Sequence, residues 1–169
     1  MIGTPMDLHR FKPNENVKDY RSALGRFATG ITVVTALSPN GPVAITVNSF
    51  ASVSLNPALI LWSPDKSSKR HDTFVRAEHF VVHVLAAEQR QVCEAFVRSA
   101  FAFDAIDTCL NEHGIPIIEG CLAVFECRKF TDIDAGDHTI LLGQVENAGH
   151  RPGEALVFAN GAYREIPAA

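Results

Sequence analysis

Apolar and polar positions change period several times along the chain, and each change marks an element. Over residues 17–28, Val17, Tyr20, Ala23, Leu24, Phe27 and Ala28 recur at helical spacing, with Asn16 as a suitable N-cap and Gly30 as a stop. The spacing therefore predicts a helix over 17–28. The pattern then becomes β-branched: residues 31–37 and 43–47 read as strands joined by the turn signal Pro39-Asn40-Gly41. Phe50, Val53 and Leu55 continue in extended style, and Asn56-Pro57 interrupts. Residues 58–62 form an almost unbroken apolar run, as in a buried strand, closed by Pro64.

The second half alternates in the same way. Residues 67–76 suggest a short helix opened by a hydroxyl cap. A strand follows over 80–85, then a helix over 88–98 whose Val92, Cys93, Phe96 and Val97 form a narrow apolar face. Residues 100–120 predict a long loop with room for one helical turn, the kind of segment that often covers sites. Strands at 122–133 and 140–146 flank Asp134-Ala135-Gly136-Asp137, and strands at 155–158 and 162–166 flank Asn160-Gly161, giving two hairpins. Residues 1–16 mix proline, glycine and charge without period and read as an irregular arm, leaving 17–169 as a single domain. Many short strands with few helices predict a mainly β, antiparallel barrel in preference to alternating βαβ units.

Composition narrows the function classes. A chain of 169 residues with 47% hydrophobic and 20% charged residues is of ordinary soluble-domain type. The formal net charge is -4 and the basic residues are scattered, which speaks against a nucleic-acid partner. No apolar run approaches the ~20 residues that span a bilayer, and the first ten residues lack the order of a secretion signal. The expectation is no membrane association and a cytoplasmic location. Cys93, Cys109, Cys121 and Cys127 show no C-x-x-C spacing and read as small, reduced core residues. Neither a G-x-G-x-x-G nor a P-loop run is present. The seven histidines match no metal motif, and His79 and His83 on one strand would stand ~13 Å apart, too far to share an ion, so no metal site is expected.

Three polar clusters remain as candidate chemistry. Thr46-Val47-Asn48-Ser49-Phe50-Ala51-Ser52-Val53-Ser54 sets hydroxyls and an amide at a strand end, and alone reads more simply as a polar loop. Ser67-Ser68-Lys69-Arg70 falls between a buried strand and a predicted helix. Hydroxyls and cations beside a helix start suit a phosphate, although a capped, solvated first turn would look the same. Gly136-Asp137-His138 places an imidazole at a hairpin tip, where it is either solvated or set against a cofactor.

These clusters, in this order, together with Tyr20-Arg21-Ser22-Ala23-Leu24-Gly25-Arg26-Phe27-Ala28-Thr29-Gly30-Ile31-Thr32-Val33-Val34-Thr35, resemble the flavin reductase family with the FMN-binding split barrel. The resemblance runs from about residue 20 to 166 and implies an antiparallel split β-barrel with a few flanking helices. It implies that Thr46, Asn48, Ser49 and Phe50 line the isoalloxazine, and that Ser52, Val53 and Ser54 offer hydroxyl and backbone groups to its polar edge. Val47, Ala51, Ser63 and Asp137 belong to the same cofactor-binding set. Ser67, Ser68 and Lys69 match the stretch around the flavin phosphate, His138 the family's histidine near the nicotinamide, and Phe158 and Tyr163 its last hairpin. Ala51 stands where many relatives carry threonine and Asn56 where aspartate is common. Lys69-Arg70-His71 is more basic than usual, cations that would favour a dinucleotide flavin.

The implied activity is hydride transfer from NADH or NADPH to FMN or FAD, with His138 as the one candidate catalytic residue, positioning the nicotinamide. Orientation would supply most of the rate. Family members usually pair as homodimers and supply reduced flavin to a partner oxygenase. Two other readings stay open: a non-catalytic flavin-binding protein of the same barrel, against which Gly136-Asp137-His138 speaks, and an acid/base or thiol enzyme, which no Ser/His/Asp order supports.

Overall fold

Seven antiparallel strands curl around one apolar core, and the sequence alternation of their inward residues dictates that curl. The computed structural model describes residues 8–166. Its strands are β1 (Thr29–Gly30), β2 (Thr32–Ser38), β3 (Gly41–Val47), β4 (Ala51–Leu55), β5 (Ala58–Trp62), β6 (His79–Val84), β7 (Thr108–Leu110), β8 (Pro116–Ile118), β9 (Ala123–Ala135), β10 (His138–His150), β11 (Ala155–Ala159) and β12 (Ala162–Ile166). Its helices are α1 (Val17–Leu24), α2 (His71–Arg76) and α3 (Arg90–Arg98), the last preceded by a 3-10 turn, Ala87–Gln89. The main sheet runs β3-β2-β6-β9-β10-β5-β4, with β1-β11-β12 and β7-β8 as smaller sheets. None of the described helices is long and apolar enough to cross a membrane.

Ile45 from one edge strand and Ile60 and Trp62 from beside the other meet Val34, Phe80, Val82 and Leu141 in one buried cluster, so the sheet closes on itself. The Ser49 hydroxyl stitches the split: it donates to the Ser63 carbonyl (3.2 Å) and accepts from the Ser63 N–H (2.9 Å). Trp62 meets Phe74 of α2 edge-on at 5.1 Å, closing one end of the core. The opposite face of β2 and β3 is buried as well. There Ile31, Val33, Ala44 and Leu85 pack against Cys93 and Phe96 of α3, Ile118 and Leu156. Burial on both faces explains why the stretch around Thr32–Ala36 reads as a β-branched run without alternation of apolar and charged positions.

The mainly β, antiparallel architecture and the Asn160-Gly161 hairpin agree with the sequence reading. Both residues of that turn have positive φ (52° and 74°), as a type I′ hairpin requires. Five expectations need correction. The first helix ends at Leu24, not at 28, because residues 29–30 leave to pair with Val157 and Phe158 of β11. The helix expected over 67–76 begins only at His71. The 100–120 segment contains the β7-β8 hairpin, whose Pro116 carbonyl accepts from the buried Thr35 hydroxyl at 2.8 Å. Cys109 is exposed, whereas the other three cysteines are buried as expected. Strands β9 and β10 are also longer than predicted. They hold 13 residues each, joined by the two-residue turn Gly136-Asp137, and Phe130 and Glu146 are bulged out of register. Of the expected arm, residues 8–16 contain no helix or strand, and residues 1–7 lie outside the described residues.

Candidate active site

Helix α3 packs across β3 so that Val97 faces Thr46, and these two residues are shared by two adjoining cavities. One, about 180 Å³, is lined by Ile31, Thr46, Val47, Asn48, Val97, Phe158 and Tyr163. The other, about 390 Å³, is lined by Ile45, Thr46, Ser68, Lys69, Arg70 and Val97. Together they form a crevice that is apolar and aromatic at one end, and hydroxyl- and ammonium-bearing at the other. Larger clefts border α1 and α3, at about 590 and 630 Å³, but neither joins an aromatic slot to a cationic pocket.

The polar end is shaped by the loop after β5. Asp65 accepts from the Ser67 N–H (2.7 Å), and Ser68 Oγ accepts from the Arg70 N–H (3.2 Å). The hydroxyl that was expected to cap a helix therefore orders a turn, and α2 has no side-chain cap. The bonds from Ser67, with smaller help from His138 and His71, hold the Asp65 carboxyl below the usual carboxylate range. Arg70 turns away from the loop and donates to the carbonyls of Phe96 and Val97 (3.4 Å to the latter), neutralising the carbonyl end of α3 where it borders the crevice. His71 is held between Asp72 and the Thr139 hydroxyl, each at 2.9 Å. Of the three added cations, only Lys69 makes no hydrogen bond or ion pair among the described residues. The expectation that Lys69-Arg70-His71 favours a longer flavin thus loses two of its three supports.

Asp65 also pairs backbone to backbone with His138, so the loop and the β9-β10 hairpin tip form one assembly. Lys66 Nζ fastens it, donating to Asp134 (2.8 Å) and to the Gly136 carbonyl (2.6 Å). His138 Nδ1 lies 2.7 Å from the Asp137 carboxylate, and this bond is the main reason that the Asp137 pKa falls. Because the carboxylate only accepts, Nδ1 carries the proton and Nε2 is the nitrogen left for another partner. The Gly-Asp-His motif is thereby brought to the loop holding Ser67 and Ser68.

At the aromatic end, Phe158 meets Tyr163 edge-on at 5.5 Å, Arg90 lies over the Tyr163 ring at 5.2 Å, and the Cys93 thiol lies 3.4 Å from its hydroxyl. Contact with Cys93 and burial push the phenol up to about 12, so it stays neutral. Burial likewise raises the thiols of Cys93, Cys121 (to about 11) and Cys127 (to about 12), which leaves them poor nucleophiles at neutral pH.

The crevice brings together Thr46, Val47, Asn48, Ser68, Lys69, Phe158 and Tyr163, while Ser49 and Ser63 close the split behind it. Phe50 turns inward, stacking on Phe125 at 5.6 Å. Ala51, Ser52, Val53 and Ser54 lie on β4, an edge strand bulged at Val53, and border neither cavity. Sequence reasoning missed Ile31, Val97 and the anchoring role of Arg70. The apolar face noted on 88–98 was the available signal for Val97.

An antiparallel split barrel with an aromatic slot running into a cationic, hydroxyl-bearing pocket defines the class as a nucleotide-cofactor-binding split barrel. Residues 24–167 match the family described as flavin reductase like domain, and the chain belongs to that family. It is 54% identical over 156 residues to the FMN reductase (NADH) SmoA of Agrobacterium fabrum, covering 92% of this chain and 90% of that one. It is 42% identical to the reductase component of a flavin-dependent trigonelline monooxygenase from Acinetobacter baylyi, covering 87% of this chain but 48% of that one. The structure of the Streptomyces globisporus NADH:FAD oxidoreductase SgcE6 in complex with NAD and FAD fragments superposes with a TM-score of 0.87 at 36% identity, covering 94% of this chain and 97% of that one.

Proposed function

We propose that this chain is an NADH:FMN oxidoreductase that supplies reduced flavin to a partner monooxygenase, with the Thr46–Val97 crevice as its flavin site. One observation carries the reading: a single crevice joins the Phe158–Tyr163 slot to the Ser68–Lys69 pocket, matching a flat ring with a phosphate tail. The 54% identity to an FMN reductase that uses NADH supports both cofactors.

When both are bound, the nicotinamide and flavin supply the hydride chemistry, and the protein supplies binding, alignment and electrostatics. Val47, Val97 and Ile31 press the ring from its apolar side, and Asn48 offers an amide to its polar edge. Ser68 and Lys69 hold the phosphate, and Arg70 shields that charge from the carbonyl dipoles of α3. His138 offers Nε2 to the nicotinamide carboxamide, its orientation fixed by Asp137.

A homodimer completes the reading. Helix α1 buries none of its residues within the chain, although Val17, Tyr20 and Leu24 recur on one face, and Phe27 beyond it is 78% exposed. Apolar surface left bare in this way marks an interface. Light scattering should give twice the chain mass, and a monomer with full turnover would refute the pairing. The reductase reading is tested by adding NADH to protein and FMN anaerobically: rapid loss of the yellow colour is expected. Bound flavin that stays oxidised would make the protein a flavin carrier and overturn the proposal.

A further inference from the structure

Away from the crevice, on the outer face of the sheet, three ligand-bearing side chains from three separate elements converge. They are His79 at the start of β6, His113 in the turn between β7 and β8, and Glu146 at the second bulge of β10. Their donor atoms all lie within 4.8 Å of one another. The two imidazoles stack with centroids 3.8 Å apart and planes 20° from parallel, and His79 Nε2 faces Glu146 Oε2 at 3.9 Å. We propose that His79, His113 and Glu146 bind one divalent transition-metal ion, with Zn²⁺ the best fit, which fastens the β7-β8 hairpin to the barrel.

The surroundings are organised as a ligand shell needs. Asn111 Oδ1 accepts from the N–H groups of His113 (3.0 Å) and Ile115 (2.9 Å), and its Nδ2 donates to Glu126 on β9 (2.8 Å). The turn carrying His113 is therefore pinned over the sheet before any ion arrives. Arg128 Nε takes Glu146 Oε1 at 3.3 Å, which leaves Oε2 turned toward His79, and Glu112 adds a carboxylate 3.6 Å from His113 Nε2. The bulge matters too: Glu146 has no partner on β9, so its side chain leaves the regular alternation of β10.

Zn²⁺ bonds of about 2.0–2.1 Å place neighbouring ligand atoms roughly 3–3.4 Å apart, so the observed set must contract by roughly 1.5 Å at most. Side-chain rotation must supply that, and must also swing the stacked imidazoles apart, because lone pairs in near-parallel ring planes do not converge on one ion. Two imidazoles and one carboxylate select Zn²⁺, Ni²⁺ or Co²⁺ over Mg²⁺ and Ca²⁺, which prefer all-oxygen shells. The remaining positions face solvent and would hold water. Because the ligands come from positions 79, 113 and 146, no spacing rule applied to the sequence detects them.

The test uses the full-length, untagged protein, stripped with EDTA and dialysed against ZnCl₂. One Zn²⁺ per chain is expected, with a rise in melting temperature of about 5–10 °C at a hundredfold excess of metal over its dissociation constant. His113→Ala and Glu146→Gln should each weaken binding at least about tenfold, since loss even of an outer-shell partner costs about 10–100-fold. Both variants should fold, because His113 and Glu146 are exposed. His150→Ala, an exposed histidine elsewhere, should leave binding unchanged, and anaerobic FMN reduction should be equal in all three variants. Failure to take up Zn²⁺, or uptake that survives both ligand substitutions, would overturn the site.

Discussion

His83 ties the stability of the barrel to pH through a single buried imidazole. It lies mid-strand in β6 with no exposed surface, its Nδ1 donates to the Val33 carbonyl at 3.0 Å, and its Nε2 has no partner among the described residues. Burial drives its pKa from 6.5 down to about 4, with the Val33 bond opposing weakly. Between these values the unfolded chain binds a proton that the folded chain refuses, so stability is full above pH 6.5 and falls as the pH drops towards 4. At pH 5 the linkage amounts to about 2 kcal/mol relative to pH 7.5, and it approaches about 3 kcal/mol below pH 4. For a chain of this size, 2 kcal/mol lowers the melting temperature by about 4–8 °C. Asp65, Asp72, Glu88, Asp134 and Asp137 are all held below their ordinary range, so their contribution is lost mainly below about pH 5, and the comparison with a His83 variant at pH 7.5 and pH 5 cancels what remains. The assay is urea unfolding at pH 7.5 and pH 5 of the native chain and of His83→Leu. The native chain should lose about 2 kcal/mol more than the variant, whatever the variant's absolute stability. An equal loss in both proteins would refute the assignment to His83.

Gly143→Ala should destabilise by about 1–3 kcal/mol in urea melts, because the added Cβ would lie 2.6 Å from Phe80 Cζ and 3.0 Å from Cys127 Cβ inside the core. Arg70→Met should cost about 1–3 kcal/mol by leaving the part-buried Phe96 carbonyl unpaired, and should weaken FMN binding by fluorescence quenching less than loss of Lys69 does, because Arg70 acts on the phosphate only by shielding it from the end of α3. Lys69→Ala should show the opposite split: unchanged stability and FMN binding weaker by roughly 10- to 100-fold, the worth of a charge-assisted phosphate contact. His138→Ala should raise KM for NADH by about tenfold with flavin affinity unchanged, and an unaltered KM would remove the histidine from the nicotinamide site.

What the sequence disclosed follows from what locality permits. The hairpin at Asn160-Gly161 was legible because its positive φ angles demand those residue types, and the core strands because both their faces are apolar. The end of α1 was not legible: Phe27 and Ala28 continue the helical spacing, yet the chain departs to meet β11 more than 120 residues later. Strands β7 and β8 escaped because three residues each, with a proline leading β8, hold too few periods. The bulge at Glu146 resets the alternation of β10 where the expected strand stops, whereas the expected β9 stops at the turn-like Asp134 and Ala135, which the strand includes. At the site, Thr46, Asn48, Ser68 and Lys69 were legible as polar groups at strand ends. Val97 enters only through the packing of α3 on β3, and the engagement of Arg70 depends on carbonyls 26 and 27 residues away.

That distinction between cations present and cations available bears on how tightly the flavin is held. Near the phosphate pocket the sequence offers Lys69, Arg70 and His71, but Arg70 faces the end of α3, and His71 is held by Asp72 and Thr139. Thr46 likewise commits its hydroxyl proton to the Cys93 carbonyl at 2.9 Å. What remains for a ligand is one ammonium, the Asn48 amide, the Ser68 hydroxyl and a shallow apolar slot. Ligand sites bury most of a tightly held molecule, and here the slot is open and the phosphate end offers a single uncommitted charge among the described residues. A grip of this kind suits a flavin that arrives oxidised and leaves reduced, and Lys69, as the one uncommitted cation lining the pocket, is the residue on which the exchange rate should depend most.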